Sequence, residues 1–71
     1  MTFNYSKLKG RIIEKYGSQM AFTKAFGVSE NTFSLKMNNR VRFSTDDIML
    51  ITKLLDIPEN EIGDYFFAPK V

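Results

Sequence analysis

The side chains best placed to do chemistry in this chain are its carboxylates, because the usual catalytic groups are missing. None of the 71 residues is cysteine or histidine, so there is no thiolate nucleophile, no imidazole base and no common zinc ligand. Serine and threonine are plentiful, yet no ordinary base stands ready to take a hydroxyl proton, and no glycine-rich loop cradles a phosphate. Asp56, Glu59, Glu61 and Asp64 are close enough in sequence to suggest a cation site. They lack the ligand alternation of a calcium loop and read as a solvated acidic face. Asp46 and Asp47 are a carboxylate pair that a helix start explains. The expectation is a protein that binds rather than catalyses, with no metal and no cofactor.

Charge is the next signal. Residues 1–42 hold eight basic residues against two acidic ones, and residues 43–71 hold two basic against six acidic. A basic half beside an acidic half can turn one face toward a polyanion. The longest apolar run falls far short of the ~20 residues that a membrane span requires. The start of the chain lacks the apolar stretch of a signal peptide. Together with the absent cysteines, this predicts a small, reduced, intracellular domain occupying residues 1–71 without linker or repeat.

These side chains must be positioned by short helices. Asn4 is a candidate cap for a first helix with Leu8, Ile12 and Tyr16 as its apolar stripe, flanked by Tyr5 and Ile13, and Gly17 ends it. Ser18 can cap a second helix over Gln19 to Phe26, stopped by Gly27. Ser29 can cap a third, with Thr32 three positions on, Phe33 and Met37 facing inward, and Asn38-Asn39 as terminator. After the extended link Val41-Arg42-Phe43, Ser44 with Asp46 and Asp47 opens a fourth helix lined by Ile48, Ile51, Leu54 and Leu55. Pro58 is placed to start a short fifth helix through Ile62, closed by Gly63. The tail from Asp64 to Pro69 is expected to be non-helical, with at least two of Tyr65, Phe66 and Phe67 folding onto the core. Five short helices make an all-α fold.

The second and third helices carry a recognisable spacing. Phe22, Phe26, Val28 and Phe33 are apolar, Ala21 and Ala25 are small, and Gly27 stands at the bend. From about Tyr16 to Ile62 this resembles the lambda-repressor-like helix-turn-helix domains of the Cro and repressor family, with the motif itself over residues 18–38. Beyond it, the segment Asn4 to Ile13 and the ending Asp64-Tyr65-Phe66-Phe67 resemble a group of short proteins from temperate phages of Gram-positive bacteria. That group includes Cro-type regulators and modulators of repressor. Thr23 stands where the family usually has alanine, and Lys36 where a hydrophobic residue is common.

The resemblance implies a transcriptional regulator of the choice between lysogenic and lytic growth, acting in the cytoplasm of a bacterial host. It implies that the third helix enters the major groove of operator DNA, with Ser29, Glu30, Asn31, Ser34 and Leu35 toward the bases. Asn31 can pair with adenine, Glu30 can accept from a cytosine amino group, and Leu35 can touch a thymine methyl. Gln19, Lys24, Lys36, Asn38, Arg40 and Arg42 are the candidate phosphate contacts. A homodimer on two-fold operators is a further implication.

An alternative comes from the same residues. The leading positions of the third helix hold no arginine or lysine, and Leu35 with Met20 and Phe3 can form an exposed apolar patch. Such a face suits another protein, and the phage's own repressor is the natural one. In that reading the chain is an antirepressor or modulator.

Overall fold

A computed structural model describes residues 2–70. It is all-helical apart from one isolated bridge: α1 covers Ser6–Tyr16, α2 Gln19–Phe26, α3 Glu30–Met37, α4 Thr45–Leu54 and α5 Ile62–Phe66, with a 3-10 turn over Glu59–Glu61. Three helix starts follow their local serines. The Oγ atoms of Ser18, Ser29 and Ser44 accept from the backbone N–H three residues on, each at 3.1 Å. At α4 the cap is reciprocal, since Asp47 Oδ2 accepts from the Ser44 N–H at 3.0 Å, and this closes a capping box. At α1 the expectation shifts by one residue. Tyr5 holds the cap position, while Asn4 Oδ1 accepts from the Ser6 N–H at 2.9 Å.

Helix ends are set by left-handed residues. Gly27 adopts φ +89° between α2 and α3, where a Cβ would be strained. The ends of α3 and α4 use Asn39 (φ 63°) and Asp56 (φ 52°) instead. At α3 the N–H of Arg40 reaches the Leu35 carbonyl at 2.8 Å and that of Asn39 reaches Lys36 at 3.2 Å; at α4, Ile57 reaches Thr52 at 3.0 Å and Asp56 reaches Lys53 at 3.4 Å. Both are Schellman closures, and in both the side chain of the left-handed residue goes on to hold a distant segment.

The core joins Leu8 and Ile12 of α1, Phe22 and Phe26 of α2, Phe33 of α3, Ile51 and Leu55 at α4, then Ile57, Tyr65 and Phe66, with Tyr5 at the edge. Its aromatic rings are linked in series. Tyr16 meets Phe22 at 5.2 Å, Phe22 meets Phe33 at 5.4 Å, Phe33 meets Phe43 at 6.0 Å, and Phe43 meets both Phe66 at 5.5 Å and Tyr5 at 5.3 Å. Edge-on pairs of this kind add roughly 0.5–1.5 kcal/mol each beyond the area they bury. A chain this short needs that contribution, because its core is small.

Two expectations are corrected here. The fifth helix lies further along than Pro58 to Ile62: Gly63 stands within α5, and Asp64, Tyr65 and Phe66 are helical. Pro69 constrains only Ala68 before it. The roughly 1 kcal/mol cost of a helical glycine is outweighed by burying Tyr65 and Phe66. Ile13, expected beside the α1 stripe, is 45% exposed, because Leu8 and Ile12 fill the inner face.

Chain ends meet at the base of this core. The N–H of Asn4 reaches the Ala68 carbonyl at 2.8 Å and that of Lys70 reaches Thr2 at 3.2 Å, around an antiparallel bridge between Phe3 and Pro69. The Asn39 side chain completes this clasp, accepting from the Phe3 N–H and donating to the Phe3 carbonyl, both at 2.9 Å. Phe67 packs edge-on to Phe3 at 5.8 Å and stays half exposed.

Candidate interaction surface

The α2–α3 pair presents the head of α3 outward. Phe22, Phe26 and Phe33 are buried between the helices and Val28 is half-buried at the corner. Thr23 is buried as well, and its hydroxyl donates to the Met20 carbonyl at 2.9 Å. The extra polar atom is thereby satisfied within its own helix, so threonine is accommodated where alanine is usual. Ser29 Oγ also donates to Thr32 Oγ1 at 2.9 Å, a side-chain contact that stands where a full capping box would have a bond to the Ser29 backbone N–H.

Ser29, Glu30, Asn31 and Leu35 are exposed, and Ser34 is half-buried. Ser34 Oγ accepts from Gln19 Nε2 at 3.2 Å, fixing the start of α2 against the middle of α3. Asn38 turns back on α3, donating from Nδ2 to the Ser34 carbonyl at 2.9 Å. Lys24, Arg40 and Arg42 are exposed. Burial pushes the pKa of the Tyr5 phenol up against the opposing pull of the Arg42 guanidinium.

Lys36 is placed differently from a phosphate contact. Its ammonium pairs with Asp47 across the α3–α4 junction, both side chains are mostly buried, and the Phe43 ring lies 5.9 Å away. Burial pushes the Asp47 carboxyl up, but the Lys36 ammonium and the Ser44 donors together hold it below its ordinary value. A lysine therefore serves where a hydrophobic residue is usual, by turning that junction into an ion pair. Phe3, expected in an apolar patch with Met20 and Leu35, is instead half-buried in the terminal clasp.

The charge asymmetry is partly neutralised by folding. Lys7 approaches Asp64 at 3.9 Å, Lys15 pairs with Asp56 at 2.7 Å, and Lys36 pairs with Asp47. Arg11 donates to Glu14 at 2.9 Å and to the Leu55 carbonyl at 2.9 Å. Half of the basic residues in positions 1–42 are thus occupied by the protein's own groups. Asp56 and Asp64, two of the acids whose spacing suggests a cation site, are among their partners.

The exposed apolar surface extends beyond Met20 and Leu35. Met20 (55% exposed) and Leu35 (40%) stand on α2 and α3, and Met49 (66%) and Leu50 stand out from α4. The sequence carries a signal for the latter pair: Ile48-Met49-Leu50-Ile51 is apolar without a break, and four successive residues of a helix cannot share one face. Among the described residues, no helix is long and apolar enough to cross a membrane.

This geometry has counterparts among known proteins. A family described as "Protein of unknown function (DUF739)" matches residues 1–69. The solution structure of the modulator of repression of the temperate bacteriophage TP901-1 from Lactococcus lactis is similar over the whole length. The two are 42% identical, the match covers 100% of this chain and 96% of the other, and the TM-score is 0.84. No curated protein matches significantly.

Proposed function

The chain belongs to the DUF739 family, and from that premise we propose that it is a phage regulator that binds its phage's repressor protein and alters the repressor's occupancy of operator DNA. The observation that carries this reading is the 42% identity, over the full chain, to a modulator of repression. The surface supports it independently. The first turn of α3 offers Glu30, Asn31 and Thr32 with no cation, and Leu35 with Met20 adds exposed apolar area. Such a mixture suits a protein surface, whereas arginine on guanine is the commonest specific contact to DNA. Direct reading of operator bases by α3 is the weaker reading on the same grounds, and half of the N-terminal cations are engaged internally. The chain acts here as one domain, with no chemical step.

The test is a mobility-shift titration on the early promoter region, with this protein alone and with the cognate repressor present. The expected result is no sequence-specific shift by the protein alone and a changed repressor shift when both are mixed. A specific shift by this protein alone, with the repressor's own shift unaltered, would overturn the proposal and restore operator recognition by α3.

A further inference from the structure

A groove of about 230 Å³ opens between the chain ends and the link from α3 to α4. Five aromatic rings wall it in an unbroken series. Phe67 meets Phe3 at 5.8 Å, Phe3 meets Tyr5 at 6.3 Å, Tyr5 meets Phe43 at 5.3 Å and Phe43 meets Phe66 at 5.5 Å. Phe67 is half exposed there. Arg42 is the one charged residue in the lining. Its guanidinium acts on the Tyr5 phenol and is in no ion pair among the described residues.

Three observations select an occupant. The first is size: the groove exceeds the roughly 150 Å³ of a cavity that takes up benzene. It falls short of the roughly 300–1,000 Å³ of a site for a drug-sized molecule, so one large apolar side chain fits. The second is charge, because an unpaired guanidinium beside an apolar pocket suits a carboxylate next to that side chain. The third is the backbone. Residues 42–44 lie in neither helix nor turn, and the N–H and carbonyl groups of Arg42 and Phe43 have no partner among the described residues. Such groups take water or another main chain. An extended peptide offers its main chain while alternate side chains fall on one face, which a small free acid cannot do.

We propose that this groove docks an extended acidic and apolar segment of a partner protein. One large apolar side chain enters between the rings, a carboxylate two residues away pairs with Arg42, and the main chain bonds along Arg42 and Phe43. The groove is separate from the surface of Met20 and Leu35, neither of which lines it. It does not depend on the repressor-binding reading.

The test is an NMR titration of the full chain with a blocked peptide, Asp-Ser-Phe-Ser-Asp, following the backbone amides of Arg42 and Phe43. Saturable shifts at both are expected. Asparagine in place of the peptide's aspartates, or Arg42→Gln in the protein, should each weaken binding about tenfold, the loss of one charge-assisted contact. Both changes together should cost no more than either alone. Lys53→Gln, at an exposed cation of α4 outside the groove, should leave binding unchanged. Phenylacetate carries the same ring and charge without the main chain, and should bind far more weakly. Equal affinity for phenylacetate would overturn the peptide as occupant. Absence of saturable shifts, or equal losses from Arg42→Gln and Lys53→Gln, would overturn the site itself. Neither repressor nor DNA is present, so this outcome is separate from that of the mobility-shift test.

Discussion

The ends of α3 and α4 solve one backbone problem with two different chemistries. Both close in a Schellman turn around a non-glycine residue in the left-handed region, Asn39 in one and Asp56 in the other. At α3 the side chain is a neutral amide that takes both backbone groups of Phe3 in a partly buried setting. At α4 it is a carboxylate on the surface, paired with Lys15, while Arg11 and Tyr16 of α1 donate to the carbonyls of Leu55 and Leu54. A guanidinium and a phenol hydroxyl of α1 thus meet the negative end of α4. One end is held by shape and hydrogen bonding, and the other largely by charge. The first should be insensitive to salt and pH, and the second should not.

Breaking the neutral end should cost most. Asn39→Ala removes two hydrogen bonds and leaves a Cβ residue at positive φ, for a loss of roughly 2–4 kcal/mol in urea unfolding. Asn39→Gly relieves the backbone but still loses both bonds, so it should recover about 1 kcal/mol of that loss. Equal effects of the two variants would mean that the hydrogen bonds to Phe3, and not the backbone conformation, carry the whole contribution. Arg11→Ala comes next, at about 1 kcal/mol, from the freed Leu55 carbonyl. Its effect should shrink in high salt, whereas that of Asn39→Ala should persist.

The pH dependence refines the contrast further. The carboxyl of Asp56 is held below its ordinary value by its hydrogen bond and charge pairing with Lys15, and that of Asp47 by Lys36 and Ser44 against the effect of burial. For a depressed carboxyl the stabilisation is complete above its unfolded pKa of roughly 4 and is lost as pH falls through the folded value. Melting followed from neutral pH downward should therefore decline in acid. Asp47→Asn should flatten that decline most, since its pair is shielded, and Asp56→Asn should flatten it less, since its pair is exposed. The smallest effect on stability belongs to Leu35→Ala, within about 0.5 kcal/mol because the side chain is exposed. The same variant should weaken capture of the repressor, and undiminished capture would remove Leu35 from the interaction surface.

Signals that act within four residues are legible in the sequence itself. The caps at Ser18, Ser29 and Ser44, the turn at Gly27 and the terminator at Asn38-Asn39 are each local, and each stands where the sequence places it. Features that depend on partners far along the chain are not legible in this way. Asn39 meets Phe3 across 36 positions and Arg11 meets Leu55 across 44, and no periodicity announces either. Lys36 reads as a surface cation until Asp47 is brought opposite it. The helix through Tyr65 and Phe66 is masked by Gly63 and Pro69, whose local preferences are real but smaller than the burial of two aromatic rings. Candidate site residues divide in the same way: the place of Glu30 and Asn31 at the head of α3 follows from the local cap, whereas a bond between helices such as that of Gln19 to Ser34 does not.

The terminal clasp has a consequence for association. A lone pair of extended segments usually offers two raw edges to any other strand. Here the bonds from Asn4 and Lys70 place the free groups of Phe3 on one outer edge, where the Asn39 amide occupies both. On the opposite edge stands Pro69, which has no N–H to offer. Neither edge therefore presents the paired donors and acceptors that a further strand needs.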